Sequence, residues 1–427
     1  MNRAKERIQY WLQIFLVPVY GLSFLMPRDK KLWLFGSTFG RRFAENPRYL
    51  FLYVSQHARG SKWYQDHPEA EGDDVLDGVR PVWISHNKEI VSFLNDNGYE
   101  AYDYHSGKGL WLALRGGVYI YDNYSKDINF WQSGGAVKVN LWHGSGNKQI
   151  NHDNIHDKVR HPKNAWEKWK TWLRRLSDEK PTDYILSTSE AMKPVFASAF
   201  AVPLSHMIVD GYPRNDVLFD EKEHRIRNLL TPKEAQLLKL LEEQKKAGRT
   251  ILAYMPTFRD SEKKFFDVMD VKAFGEFLEK ENLLFVAKIH IKSKLRKEFE
   301  ACNSDHIVIA DPDIDAYTFF AKTDMLITDY SSVYTDYMLL DKPVIAFQYD
   351  REDYERDSRE CTIDQDEYMP EVKAVNMQEL MDAILLLKKE DPRKEKRLRS
   401  RERMFKYVDG CASKRLCEYI AGHFVLS

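Results

Sequence analysis

Cysteine is scarce in this chain of 427 residues: there are four, at Cys302, Cys361, Cys411 and Cys417. None forms a C-x-x-C pair or stands at zinc spacing from a histidine, which argues against a metal knot or a disulfide framework and fits a reducing cytoplasm. A surplus of one charge is missing as well. Lys plus Arg number 64 against 65 Asp plus Glu, so net charge gives no reason to expect a nucleic-acid partner. There is no G-x-x-x-x-G-K-[ST], no G-x-G-x-x-G opening a helix after the first strand, and no His/Asp cluster at metal-ligand spacing. A P-loop kinase and an ordinary dehydrogenase are therefore poor readings. Short-period repeats and low-complexity tracts are also absent.

A long membrane-crossing run is lacking too. Tyr10 to Met26 is almost all apolar and is bracketed by Lys5, Arg7, Arg28, Lys30 and Lys31. At about 1.5 Å per residue it would reach roughly 25 Å, short of the ~30 Å hydrocarbon core, and Pro18 interrupts it. An interfacial anchor over 1–30 fits better than a spanning helix, with a helix packed on the core as the alternative. No small-residue cleavage site follows, and Leu32-Trp33-Leu34-Phe35 reads at once as a buried strand, so a secretory signal is not expected.

What is present is ample apolar material, 43% hydrophobic and 13% aromatic, enough for two domains. Short β-rich runs alternate with helical patterns, which predicts an α/β fold of two Rossmann-like, doubly wound domains facing a cleft, the arrangement called GT-B. Strands are expected at Leu32–Phe35, Val82–Ser85, Val118–Tyr121, Val137–Trp142, Tyr184–Ser187 and Ile208–Asp210. A second series follows at Thr250–Tyr254, Leu284–Ile289, His306–Ile309, Met325–Thr328 and Pro343–Phe347. Helices are expected at Lys88–Asn97, Asp270–Glu281, Ala316–Ala321, Val333–Leu340, Met377–Lys388 and Ala412–Phe424. The corresponding domains are 31–219 and 250–395, with a linker helix region at 220–249 and C-terminal helices at 396–427. Trp166, Trp169, Trp172, Leu173 and Leu176 fall at helical spacing among Lys163, Lys168, Lys170, Arg174 and Arg175. Such a helix either lies in a headgroup layer or packs its tryptophans into the core.

Four strand ends present a cation or an imidazole. Leu141-Trp142-His143-Gly144-Ser145-Gly146-Asn147-Lys148 places a histidine beside glycines able to adopt positive φ and expose amides. Gly211-Tyr212-Pro213-Arg214-Asn215-Asp216 combines a turn with a guanidinium that suits an anion or, equally, a structural salt bridge. Met255-Pro256-Thr257-Phe258-Arg259 and Lys288-Ile289-His290 end two further strands. Finally, Met325-Leu326-Ile327-Thr328-Asp329-Tyr330-Ser331-Ser332-Val333 turns sharply from strand to helix, where Ser331 and Ser332 offer hydroxyls and amides to a phosphate or merely cap the helix. Convergence of these ends argues for a shared anionic ligand.

The ordered set W-H-G, G-Y-P-R-N-D, P-T-F-R, K-I-H and I-T-D-Y-S-S-V-Y-T-D-Y resembles the CDP-glycerol glycerophosphotransferase family, which makes teichoic acids and related phosphopolyol polymers. Trp33-Leu34-Phe35-Gly36-Ser37, Tyr119-Ile120-Tyr121-Asp122 and Lys342-Pro343-Val344-Ile345 are also similar to it. The resemblance implies a GT-B enzyme whose C-terminal domain binds CDP-glycerol or another CDP-polyol. It implies peripheral attachment to the cytoplasmic face of the cell membrane and transfer to a lipid-linked, undecaprenyl-type acceptor of teichoic acid, capsule or O-antigen; the alternatives are a GT-B glycosyltransferase using a nucleotide sugar and a non-catalytic polymer-assembly protein. It further implies that His143 and His290 are catalytic. Ser331 and Ser332 would hold the donor pyrophosphate with Arg259, Lys288, Asp329 and Thr257, while Gly144, Ser145, Lys148, Arg214 and Asn215 are candidates for the acceptor side or the cleft. No cofactor and no metal are expected, because relatives of this fold use donor groups in place of an ion. Two positions depart from the family pattern, W-H-G-S-G-N-K in place of W-H-G-T-P-L-K and Ile291 where a proline is usual.

Overall fold

The computed structural model describes residues 8, 10–259, 262–302, 304–357 and 362–425; Lys5, Arg7 and Cys361 lie outside them. The chain forms two compact units, Met1–Asn228 with Lys406–Ser427, and Leu229–Phe405. Each is built on one parallel sheet, so the α/β expectation holds. In the first unit the strands are β1 (Asp29–Phe35), β2 (Arg80–Ser85), β3 (Ala101–Asp103), β4 (Gly116–Tyr121), β5 (Val137–Asn140), β6 (Tyr184–Ser187) and β7 (Met207–Val209). Their spatial order is β3-β2-β1-β4-β5-β6-β7. In the second unit β8 (Thr250–Tyr254), β9 (Leu283–Ala287), β10 (Ile307–Ile309), β11 (Met325–Thr328), β12 (Val344–Phe347) and β13 (Val372–Ala374) are ordered β10-β9-β8-β11-β12-β13. Both sheets thus place their first two strands and the fourth side by side in the doubly wound order, which gathers the functional loops at the carboxyl ends near the switch point.

Burial explains the strand sequences. Trp33, Leu34 and Phe35 of β1 and all of β4 are buried on both faces, as a parallel sheet covered by helices requires. The second unit packs Leu252, Tyr254, Phe274, Phe285, Phe299, Ile327 and Ile345 into one core. Helix Lys88–Asp96 starts under an Asn87 cap on the Glu89 amide and stops before Gly98, whose φ of +82° continues no helix.

Several boundaries differ from the expectation for identifiable reasons. Strand β5 ends at Asn140 and does not reach Trp142, because Trp142 has a φ of +50° and turns the chain out of the sheet. The stretch 316–322 makes two 3-10 turns, Ala316–Thr318 and Phe320–Lys322, and no α-helix. The segment 220–249 divides between the units: a turn of helix at Glu221–His224 belongs to the first. Pro232–Lys246 opens the second with a Thr231/Glu234 capping box and buries Leu237 and Leu241. The tryptophan segment is two short helices, Ala165–Lys170 and Trp172–Asp178. Helix Ala412–Ile420 ends in a wider π turn at Ala421–Val425.

No helix among the described residues is long and apolar enough to cross a membrane. The apolar N-terminal run is a 3-10 stretch, Gln13–Leu16, followed by helix Val17–Ser23. Arg28, which the sequence places as a flanking cation, is half-buried and donates to the carbonyls of Ala113 (2.8 Å), Gln132 (2.7 Å) and Ser23 (3.1 Å). Burial pulls its pKa down, and it acts as a clamp on the N-terminal helix.

Candidate active site

In the first unit, His143 stands at the carboxyl edge next to β4 and β5. Its Nδ1 lies 2.9 Å from the carbonyl oxygen of Asp122, and its ring packs against Trp142 at 4.2 Å between centroids. A carbonyl only accepts, so Nδ1 carries the proton in the neutral imidazole. Nε2 is left with an open lone pair able to receive one. The left-handed turn that aims the histidine is held from beneath. Asn46 Nδ2 donates to the carbonyls of Leu141 (3.2 Å) and Trp142 (2.8 Å), and Asn140 Oδ1 accepts from the Trp142 amide (2.8 Å).

Asp122 itself is braced. Its carboxylate accepts from Ser37 Oγ (3.0 Å), the Thr38 amide (3.1 Å) and Asn123 Nδ2 (2.9 Å). Beside it, fully buried Asp127 accepts from the amides of Phe39 (2.7 Å) and Asn123 (2.9 Å). Burial, then the adjacent Asp122, pushes Asp127 well above the ordinary carboxylate range. Neither aspartate is singled out as a site residue by the sequence; the signal was the position of Asp122 immediately after a fully buried strand.

Arg214 is buried and its guanidinium is engaged by the chain. It ion-pairs with Glu45, donates to the carbonyl of His143 at 2.9 Å and lies over the Tyr212 ring at 4.9 Å. Of the two readings of that motif, the geometry matches the structural salt bridge, and through it Arg214 fixes the W-H-G turn. Tyr212 adds a hydroxyl bond to the carbonyl of Gly144 (2.7 Å). Gly146 has the expected positive φ, +75°, whereas at the other end of the turn it is Trp142 and not Gly144 that adopts it. Ser145 and Asn215 are buried and Lys148 is half-buried in the same loops.

In the second unit, Thr257, Arg259 and Asp329 come together at the ends of β8 and β11. Asp329 accepts from the Thr257 amide (3.0 Å), Thr257 Oγ1 (2.7 Å) and Arg259 Nη1 (2.7 Å). Arg259 also forks onto Asp350, with Nε and Nη2 at 2.5 and 3.0 Å. Burial works against its charge, but Asp329 and Asp350 outweigh that and raise the guanidinium above its ordinary range. Tyr330, Tyr349 and Tyr354 surround it at 5.3 to 5.8 Å. Arg259 is thereby a brace joining three strand ends, and Asp350 is a partner that no sequence signal marked.

Ser331 and Ser332 follow directly in the same turn, both partly exposed. Ser332 begins helix Val333–Tyr337 without making a side-chain cap, and Ser331 Oγ stands 3.5 Å from the Val333 amide, too far to satisfy it well. Capping therefore does not account for the two hydroxyls. His290 is exposed after β9 and packs on Phe258 at 4.6 Å, with Nδ1 3.3 Å from the Lys292 amide. Lys288 Nζ donates to the carbonyl of Pro312 at 3.2 Å.

A profile of the CDP-glycerol:poly(glycerophosphate) glycerophosphotransferase family matches residues 19–422. The chain belongs to that family. It is an enzyme, a transferase that moves glycerol phosphate or a related polyol phosphate from a CDP-polyol. It is 26% identical to a teichoic acid poly(glycerol phosphate) polymerase of Bacillus spizizenii, over 98% of this chain and all of that protein. A teichoic acid glycerol-phosphate transferase of Staphylococcus aureus is 24% identical over 92% of this chain and 93% of its own. The fold is that of the wall teichoic acid polymerase TagF, with a TM-score of 0.67 and 19% identity over 99% of this chain and 97% of that one. The family is the one that the strand-end motifs resemble.

Proposed function

We propose that the enzyme transfers glycerol phosphate from CDP-glycerol to the terminal hydroxyl of a teichoic-acid-type polymer carried on a lipid, with His143 as the base. The observation that carries this reading is the Asp122 carbonyl on His143 Nδ1, which leaves Nε2 as the proton acceptor. The acceptor oxygen attacks the phosphorus bearing the polyol and its proton passes to Nε2. The bond from that phosphorus to the bridging oxygen breaks, and CMP departs with the electron pair. Ser331, Ser332 and His290 would neutralise the charge that builds on the leaving group, each well-placed donor contributing several kcal/mol, on the order of 3. Thr257, Arg259, Asp329 and Lys288 act by fixing the loops that hold them.

Peripheral attachment at the cytoplasmic membrane face is part of this proposal. Support comes from exposed apolar side chains of the first unit: Phe15 and Leu25 are 74% and 78% exposed, and Trp166 and Trp169 are 59% and 52% exposed. Trp11 packs against Trp169 with ring centroids 4.5 Å apart, so the N-terminal run meets the tryptophan segment there, with Lys170 4.8 Å over the Trp166 ring. Indoles beside lysines suit a headgroup layer.

The test is CMP release by purified enzyme given CDP-glycerol, CDP-ribitol or UDP-sugars with membranes as acceptor, for wild type and His143→Ala. Release from one CDP-polyol, reduced about 10²–10⁴-fold in the variant, is expected. Turnover of a UDP-sugar alone would overturn the reading.

A further inference from the structure

The carboxyl ends of β1, β2 and β3 carry cationic and imidazole groups that the transfer step leaves unused. Arg41 follows β1, His86 and Lys88 follow β2, and His105 follows β3, all four exposed. The His86 and His105 rings are 5.6 Å apart. His86 is also held in place: it stacks on Tyr104 at 3.9 Å, and its amide donates to the Gly40 carbonyl at 2.7 Å. Gly40 lies so close that a Cβ there would stand 2.2 Å from His86 Cδ2. Partial burial, then His105 and Arg41, push the His86 imidazole down to about 4, with Asp103 acting in the opposite sense. Among the described residues, none of the four forms a salt bridge. Two cations, Arg41 and Lys88, thus stand beside two imidazoles, with Asp103 the carboxylate that acts on His86.

This rim is continuous with the catalytic edge. Thr38, Phe39 and Gly40 are three successive residues at positive φ (50°, 55° and 72°), a costly conformation for the first two. The loop they form is pinned by Asp122 and Asp127 on one side and carries His86 and Arg41 on the other. The carbonyl of the same Asp122 orients His143. From β5 to β3 is four strand steps, roughly 19 Å at ~4.8 Å each.

We propose that the rim formed by Arg41, His86, Lys88 and His105 is the track for the acceptor's phosphodiester chain, holding the phosphates behind the terminal hydroxyl that reaches His143. The inference rests on the function proposed above and names the ligand of its acceptor side. A phosphodiester carries one negative charge per repeat, which matches donors spaced from strand to strand; guanidinium, ammonium and imidazole are all donors to its oxygens. The strained loop between rim and base keeps the two in register, so that a chain seated on the rim is aligned for attack.

The experiment measures binding of a fluorescent synthetic glycerol phosphate oligomer to the full chain as a function of salt, without donor. The doubly substituted Arg41→Gln, Lys88→Gln enzyme should bind about tenfold more weakly, with a slope of log affinity against log salt smaller by about one to two. Arg41→Glu should weaken binding further, and His86→Gln should do so without changing the salt slope at neutral pH. CDP-glycerol affinity in the same samples reports that each variant is folded. Equal oligomer binding by wild type and variants, or no binding by wild type, would overturn the track. Binding is read without turnover, so failure of the CMP assay would bear on the donor chemistry and leave this result intact.

Discussion

Arg214 and Arg259 show how far a residue's chemistry depends on what it meets. Both were marked by strand-end motifs, and each ends on carboxylates of its own unit: Arg214 on Glu45, Arg259 on Asp329 and Asp350. A motif displays the cation but not the distant carboxylate that meets it, 169 residues earlier for Arg214 and 91 residues later for Arg259 and Asp350, which is why Asp350 could not be read from sequence while Arg259 could. Truncating Asp350 would leave Nε and Nη2 of a buried guanidinium without partners. Asp350→Ala is accordingly expected to destabilise the second unit by about 3–5 kcal/mol. A urea titration followed by tryptophan-independent circular dichroism measures this; a midpoint shift equivalent to less than about 1 kcal/mol would show that the brace contributes little.

Between elements, the coupling of the last helix to the first unit is set by one aspartate of the G-Y-P-R-N-D motif. Asp216 is buried and accepts from the amides of Ala412 (2.9 Å) and Ser413 (2.7 Å), capping helix Ala412–Ile420 from outside. Burial pushes its carboxyl up to about 7, against which the Ser413 bonds work. Between about pH 4 and 7 the folded protein holds a proton that the unfolded chain has released, so this group's contribution falls as pH rises through that window and levels off above it. The slope is at most about 1.4 kcal/mol per pH unit. Asp216→Asn should flatten the fall in Tm between pH 5 and 7 relative to wild type, read by scanning fluorimetry; parallel profiles would rule out an Asp216 contribution. The elements that sequence made legible were the long, fully apolar strands and the capped amphipathic helices such as Lys88–Asp96. Those it hid have physical reasons: β3 (Ala101-Tyr102-Asp103) and β13 (Val372-Lys373-Ala374) are short and broken by a charged residue, unlike the equally short but wholly apolar β7 and β10, and helix Glu45–His57 is buried on nearly every side, so it carries no amphipathic stripe. Asn46, which holds the W-H-G turn, sits on that hidden helix.

At the scale of the molecule, the first unit has an outward apolar face that its own fold does not cover. The N-terminal helix is fixed inward by Tyr20 stacked on Phe130 at 4.5 Å and by Ser23 Oγ accepting from the Gly134 amide at 2.9 Å, while Leu22, Phe24 and Leu25 point out. Leu173 closes a small cluster with Phe130 and Trp131 beneath the exposed tryptophans. Packing thus consumes one side of this region and leaves the other, indoles flanked by lysines, to a different medium. If that medium is lipid, replacing Trp166, Trp169 and Trp172 together by alanine removes most of the apolar contribution, since each large side chain leaving water contributes about 1.5–3 kcal/mol. Binding to phosphatidylglycerol vesicles in a sedimentation assay should then weaken by tenfold or more, about 1.4 kcal/mol. Lys168→Gln with Lys170→Gln should instead reduce the part of binding that salt abolishes. An unchanged unfolding midpoint separates loss of lipid contact from loss of the Trp11–Trp169 contact. Full vesicle binding by the triple variant would mean that the face serves another partner.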